Sequence, residues 1–201
     1  MRNLITIAFS ITFFFFATSA SADSDGNSPM SAVKKLLGEI KQIIKKDSLS
    51  NVEKTENKKH SDIALSVLMV PEISEKALGK YWSKHSEEQQ KQFQTLLGNL
   101  FVHVAFPSSA KFFANLDMVY GNPKRKKDMM LIPLTVIHEK EGEVDIAFRM
   151  KQSAENWQVV DVILDGVSMR NNLRSQFYKI LKKKDFKDLV RRMEKKLKET
   201  D

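Results

Sequence analysis

The sequence contains no cysteine, and it lacks the other common signatures of catalysis as well. Without cysteine there is no thiol nucleophile, no thiolate zinc site and no redox pair. There is no G-x-S-x-G turn, no phosphate-binding loop and no dinucleotide-binding fingerprint. The four histidines lack the i, i+4 spacing of a metal-binding pair; they are His60, His85, His103 and His138. We therefore predict a protein that is not an enzyme and has no metal or cofactor.

A serine triad drawn from Ser168, His103 and Asp161 has no local support. Ser168 follows a Gly turn and begins a helical pattern, so it is predicted as a helix N-cap. Asp161 lies on the more polar face of a predicted strand and is expected to be structural. A lipid hydrolase using Ser168 is the weakest of the functions considered.

The first 22 residues predict a secretory signal peptide. Arg2 supplies the basic region, Leu4 to Phe16 the apolar region, and Ala20 to Ala22 a small-residue cleavage site. The apolar stretch is too short to span a bilayer stably, and no other segment is long enough. Because no cysteine follows it, a lipoprotein is not expected. We predict cleavage near Ala22, a periplasmic location, and a single domain over residues 23–201.

Positive charge exceeds negative charge. Without Arg2 the chain has 32 Lys and Arg against 25 Asp and Glu, a net charge of +7. In a cytosolic protein such an excess would favour nucleic acid as a partner, but the predicted export argues against it. It leaves anionic lipid headgroups, membrane surfaces or an acidic protein partner.

Before residue 116 the apolar residues recur at helical spacing. The predicted helices are Ser31–Lys46, Ile73–Trp82 and a helix from Ser86 to Pro107, with a further short helix from Ser108 or Ser109. Ser86 and Gln89 form a capping box. The polar stretch from Asp47 to Lys59 is predicted as a loop or a frayed helix start. The apolar run from Ile63 is expected to stop at Pro71, because proline interrupts helical hydrogen bonding.

After residue 116 the period changes to two, then returns to helical spacing. The predicted strands are Met118–Tyr120, Met130–His138, Val144–Met150 and Trp157–Leu164, with a solvated basic loop at residues 124–127. Ser168 and Asp185 are predicted to cap two final helices, the last of them strongly basic. This order predicts an α+β domain, in which helices pack on one face of a curled four-stranded antiparallel sheet.

One face of the predicted sheet is apolar. Val144, Ile146 and Phe148 alternate with polar residues such as Asp145 and Arg149, as expected for a half-buried strand. Such a face fits a packed core or the wall of an apolar cavity. The alternation does not separate these two possibilities.

Several segments together resemble the MlaC family of periplasmic phospholipid-binding proteins. They are Ala77–Trp82, Glu88–Phe93 followed by Leu96 and Leu97, Trp157–Met169, and Asn171–Phe177. Each is a weak signal alone, but their order and spacing follow the family from about residue 30 to residue 185. Leu173 stands where the family usually has tyrosine, and the basic C-terminal tail is long.

The resemblance implies a sheet and helices that enclose an apolar pocket for acyl chains. It also implies a monomeric carrier that moves phospholipid between the outer and inner membranes and so maintains outer-membrane lipid asymmetry. The implied partners are an outer-membrane lipoprotein–porin complex and an inner-membrane ABC transporter with an MCE-domain component. The alternatives are a carrier of another lipid, such as a hopanoid, and a periplasmic protein-binding adaptor with a filled core.

Fourteen residues are predicted to line the pocket. From the helices they are Tyr81, Phe93, Leu97, Leu100, Phe101 and Val104, and from the sheet they are Leu134, Val136, Val144, Ile146, Phe148, Val160, Val162 and Leu164. Opposite faces of a sheet cannot all line one cavity unless the sheet is strongly curled, so some of these residues are expected to be core. Arg170 and Arg174 are weaker candidates for the pocket mouth or a docking surface.

Overall fold

The computed structural model describes residues 27–138, 142–154 and 156–199, which form an α+β fold. The predicted signal peptide and its cleavage site lie outside these residues. Five α-helices precede the sheet: α1 (Pro29–Lys41), α2 (Asn51–Ser66), α3 (Val70–Leu78), α4 (Glu87–Leu100) and α5 (Phe106–Phe113). A 3₁₀ helix (Gly79–Lys84) follows α3, and a π-helical turn (Phe101–Ala105) joins α4 to α5. Within the described ranges, every helix is too short or too polar to cross a membrane.

The sheet is antiparallel and open. Its strands are β1 (Asp117–Tyr120), β2 (Lys124–Lys126), β3 (Met129–His138), β4 (Gly142–Ser153), β5 (Asn156–Leu164) and β6 (Val167–Ser168). They pair in the order β1-β3-β4-β5-β6, and β2 pairs with β3 as well. The four predicted strands are confirmed. The prediction missed β2, which forms from the basic loop, and β6, which is only two residues long.

The apolar face of the sheet packs against α1. Strand pairing sets Ile132 opposite Phe148 and Leu134 opposite Ile146, so their side chains share one face. All four are buried, as are the α1 residues Val33, Leu36, Leu37 and Ile40. Two helices follow the sheet, α6 (Met169–Leu181) and α7 (Phe186–Lys198).

Helices also contact the polar face of the sheet, which was predicted to be free of them. Lys151 of β4 forms an ion pair with Glu72 of α3 at 2.8 Å. Next to it, Arg149 contacts Asp161 of β5, whose carboxylate accepts a hydrogen bond from the first turn of α6. Helices therefore lie on both sides of the sheet at this end.

Two prolines lie at helix starts, not at the helix ends predicted for them. Pro71 is in the first turn of α3, where the missing N–H would have no helical partner. Pro107 is in the first turn of α5, directly after the π-helical turn. The polar stretch from Asp47 to Lys59 also differs from the prediction, because residues 51–59 are the first nine of the sixteen residues of α2. This helix begins at a capping box between Ser50 and Glu53.

Candidate functional site

An apolar cleft, called the helix cleft here, lies between α4, the π-helical turn, α6 and α7. Its volume is about 360 Å³. The apolar lining residues are Leu97, Leu100, Phe101, Val104, Ala105, Leu173, Phe177, Ile180, Leu189 and Met193. The polar lining residues are Gln176, Arg192 and Lys196. The helix cleft therefore combines an apolar interior with two cationic side chains.

The first wall of the helix cleft comes from α4 and the π-helical turn. Ser86 caps α4 by accepting a hydrogen bond from the N–H of Gln89, as the capping box predicts. In the π-helical turn the N–H of Phe106 bonds the carbonyl of Phe101, five residues back. This wider turn lets the chain pass Pro107 without the clash that proline causes inside an α-helix. The same turn presents Phe101 and Val104 to the cleft.

The second wall is α6, which is fixed to the sheet by a buried carboxylate. Asp161 accepts hydrogen bonds from Arg149 Nη1 at 2.9 Å, Ser168 Oγ at 2.7 Å and the Arg170 N–H at 3.1 Å. Ser168 Oγ in turn accepts from the N–H of Asn171 at 3.1 Å, so Ser168 is the predicted N-cap. Asp161 is structural, as expected. These contacts set the position of α6, and with it one side of the cleft.

The groups of the alternative serine triad are not assembled. His103 is exposed on the π-helical turn, and within the described residues no hydrogen bond joins it to Ser168. Ser168 Oγ already makes the two bonds of a helix cap that is tied to the sheet. The described residues also hold no cluster of His, Asp and Glu suited to a metal ion.

The third wall is α7, a helix with one apolar and one basic face. Asp185 caps it by accepting a hydrogen bond from the N–H of Asp188 at 2.9 Å, as predicted. The Asp188 carboxylate accepts from Arg191 and Arg192, and these guanidinium groups hold the pKa of Asp188 below its usual range. Leu189 and Met193 are buried on this helix and line the cleft.

Four of the predicted pocket residues meet in the helix cleft. They are Leu97, Leu100, Phe101 and Val104. Phe93 lies one helical turn before Leu97 and is buried, with its ring centroid 5.4 Å from that of Phe177. The structure brings Leu97, Leu100, Phe101 and Val104 to one apolar space. The contact of these residues with a ligand stays a prediction.

Tyr81 lies outside the helix cleft, on the 3₁₀ helix. Its ring packs edge-on against Tyr178 of α6, with centroids 5.0 Å apart. Lys80 and Lys84 Nζ atoms each lie 5.5 Å from the Tyr81 ring centroid. Gly79 has a φ of +49° and abuts the Tyr178 hydroxyl, so no side chain fits there. Tyr81 therefore belongs to a basic and aromatic surface patch.

The predicted sheet residues fall into two groups. Six are buried in the core: Leu134, Val136, Val144, Ile146, Phe148 and Val160. The other two, Val162 and Leu164, lie near the edge of the sheet, on the same face as Phe148 and Ile146, with which they pair. Val162 is half-buried, while Leu164 is 37% exposed and pairs with Val167, which is 55% exposed. We call Val162, Leu164 and Val167 the β5–β6 strip.

Sequence reasoning missed nine of the thirteen residues that line the helix cleft. Leu173, Phe177 and Ile180 recur at helical spacing along α6, and Leu189 and Met193 do so along α7. Both helices were predicted from the sequence, but their contribution to a cleft was not. A stripe alone does not show whether its partner surface touches it or stands apart.

A second hollow is larger but polar. Its volume is about 590 Å³, and its lining residues are Met69, Pro71, Glu72, Glu75, Lys76, Trp82, Gln94, Lys151, Ser153 and Gln158. The carboxylate of Glu72 accepts a hydrogen bond from Lys151 at 2.8 Å and raises the pKa of Lys151. Charged walls do not suit an apolar ligand, and we place the candidate site in the helix cleft.

The fold and the helix cleft define an α+β protein with an apolar cleft between its helices. The chain belongs to the MlaC family, whose model matches residues 34–195. Its structure is similar to that of the phospholipid-binding protein from Ralstonia solanacearum in complex with a phospholipid, with a TM-score of 0.67 and 20% identity. The match covers 85% of this chain and 95% of the other. At this identity the likeness shows a shared fold. No curated protein sequence matches the chain.

Proposed function

We propose that this protein is a non-enzymatic phospholipid carrier that holds acyl chains in the helix cleft. The observation that carries this proposal is the continuous apolar lining contributed by α4, the π-helical turn, α6 and α7. Membership of the MlaC family supports it, as does the solved relative that holds a phospholipid.

The physical need for a carrier follows from the cost of exposing acyl chains to water. Burial stabilises each methylene by ~0.8 kcal/mol, so transferring two chains of about sixteen carbons into water costs roughly 25 kcal/mol of free energy. Diffusion of free phospholipid through an aqueous compartment is then negligible. A protein that replaces water with apolar side chains removes this barrier.

Arg192 and Lys196 give the helix cleft a polarity that matches a phospholipid. Both line the cleft, and their side chains remain more than half exposed. A guanidinium group binds phosphate through paired hydrogen bonds, and an ammonium group acts as a point charge. We assign the headgroup phosphate to this end and the acyl chains to the interior.

The buried sheet residues can contact an acyl chain only if the core opens. Leu134, Ile146 and Phe148 pack in the core with α1, so a chain contacts them only when the sheet and α1 separate. The helix cleft falls at the small end of the usual ligand-pocket range of about 300–1,000 Å³. A second acyl chain therefore calls for such an opening, and the β5–β6 strip is a further apolar surface for it.

The proposed role is transport between the outer and inner membranes, which maintains lipid asymmetry. The predicted signal peptide and the family support a periplasmic location. The proposed partners are the lipoprotein–porin complex and the ABC transporter with its MCE-domain component. We propose that the protein acts as a monomer.

Native mass spectrometry of the protein purified from bacteria tests lipid binding. We expect a lipid-bound mass, and extraction with species-resolved analysis should identify phospholipid. Only the unbound mass, with no extractable lipid, would contradict the proposal and favour a protein-binding adaptor. A hopanoid in the extract would retain the carrier but replace its ligand.

Transfer between vesicles tests the carrier role. Labelled phospholipid in donor vesicles should reach acceptor vesicles faster when the protein is present, and it should remain chemically intact. Hydrolysis that is lost in Ser168→Ala would contradict the non-enzymatic assignment. Unaltered transfer rates would contradict the carrier role.

A further inference from the structure

The net charge of the chain is concentrated in its last two helices. Residues 169–199 contain twelve Lys and Arg and four Asp and Glu, a net charge of +8. This equals the net charge of all 201 residues, so the remainder carries 21 residues of each sign. Exposed charges interact over distances of up to about 10 Å before salt screens them, so charges clustered on two adjacent helices act together.

Many of these cations lie at the surface. Lys182, Lys183 and Lys184 in the link between α6 and α7 are exposed, as is Lys187 in the first turn of α7. Further along α7, the side chains of Arg191 and Lys195 are 65% and 73% exposed. The cationic groups are therefore available to a partner.

The carboxylates on α7 neutralise only part of this charge. Asp188 is shared between Arg191 and Arg192, and Glu199 is shared between Lys195 and Lys196. These two carboxylates each contact two basic groups, and residues 185–199 together hold six Lys and Arg against four Asp and Glu.

The same two helices form walls of the helix cleft. Arg192 and Lys196 belong both to the basic surface and to the cleft lining. On the other side of α6, Tyr178 packs with Tyr81 beneath Lys80, which adds aromatic side chains and a further cation. Tyrosine and lysine together are typical of surfaces that meet the headgroup region of a bilayer.

We propose that α6, α7 and the link between them form a docking surface for an anionic lipid bilayer. Charge complementarity identifies the occupant, and the apolar cleft between the helices favours a lipid surface over an acidic protein. Docking through these helices brings the helix cleft next to the headgroups. The proposal goes beyond phospholipid binding in the cleft, because a protein can hold a lipid without attaching to a membrane.

Vesicle sedimentation tests this docking surface directly. The full mature protein is mixed with phosphatidylcholine vesicles or with equimolar phosphatidylcholine and phosphatidylglycerol vesicles. We expect binding to the anionic vesicles only, with progressive loss as salt is raised, because salt screens surface charge. Equal binding to both vesicle types, or none to either, would overturn the proposal.

A matched pair of variants locates the surface. The triple variant Lys183→Gln, Lys184→Gln and Lys187→Gln removes three exposed charges without touching the cleft lining. Each Lys or Arg near an anionic bilayer strengthens binding about fivefold, so we expect a loss on the order of a hundredfold.

The control removes the same charge from the exposed strand β2, through Lys124→Gln, Arg125→Gln and Lys126→Gln. Both triple variants should keep the melting temperature of the parent, since they alter exposed side chains. The control should retain vesicle binding within a few-fold. An equal loss in both variants would show general charge attraction and refute a docking surface. Lipid loading measured by native mass spectrometry should be unchanged in both, which separates this proposal from that of the cleft.

Discussion

Replacing Val104 with tryptophan should block the helix cleft. Val104 lies on the π-helical turn, is half-buried and lines the cleft. The cleft is open to one side, so the indole can extend into it without overpacking the core behind. We therefore expect Val104→Trp to fold normally and to bind phospholipid poorly.

The size of this effect follows from the acyl chain that the indole displaces. If about four methylenes lose their apolar surroundings, the binding free energy falls by roughly 3 kcal/mol at ~0.8 kcal/mol each. A change of ~1.4 kcal/mol is tenfold in affinity, so binding should weaken on the order of a hundredfold. Native mass spectrometry should then show mostly the unbound mass.

Val52→Trp provides a matched control. Val52 is also in a helix, near the start of α2, and is 72% exposed, so the same substitution there should leave loading unchanged. Thermal melts of both variants check folding. Full loading of a folded Val104→Trp protein would refute the assignment of the acyl chains to this cleft.

Other predictions concern the sheet, the turns and pH. Val162→Trp tests the β5–β6 strip: loss of loading here, together with full loading in Val104→Trp, would place the chains against the sheet. Asp161→Ala should lower the free energy of unfolding in urea by about 3 kcal/mol, because it leaves a partly buried guanidinium unpaired; a loss below that of an ordinary surface mutation would contradict this. Gly79→Ala should lower the melting temperature, because Gly79 has a positive φ and a crowded Cβ position. Gly38→Ala in α1 should raise it, because Gly38 has neither feature. Burial holds the pKa of His85 below its usual value, so the free energy of unfolding should fall as the pH drops below about 6.5. This loss of stability should be smaller in His85→Phe, and the same pH profile in both proteins would refute the prediction.

Local signals in the sequence predicted much of the fold correctly. The period of two identified β3, β4 and β5, and the side chains of Ser86, Ser168 and Asp185 form the predicted caps. These features depend on interactions within a few residues of each other. They are therefore readable without tertiary structure.

Features that depend on tertiary packing were not predictable in this way. Pro107 was expected to end a helix, but the π-helical turn before it lets the helical path continue. The rings of Phe101 and Phe106 stack at 6.3 Å across that turn, and Phe101 also faces α6 and α7. The local proline rule contains no information about these partners.

Periodicity also does not predict which candidate residues line the cleft and which pack in the core. Val104 and Ile146 both lie on apolar stripes, but Val104 lines the cleft and Ile146 packs in the core. A stripe indicates which side of an element is apolar. Whether the facing element touches it depends on the angle and distance between elements, which Asp161 and Ser168 set for α6.

Photo-crosslinking with a phospholipid that carries a reactive group at the end of one acyl chain would show which residues contact the bound chain. After loading and irradiation, mass spectrometry of the digested protein maps the labelled residues. We predict label on the helix cleft, at residues such as Leu100, Phe101, Val104 and Ile180. Label confined to the β5–β6 strip, or a protein that takes up no phospholipid, would contradict it.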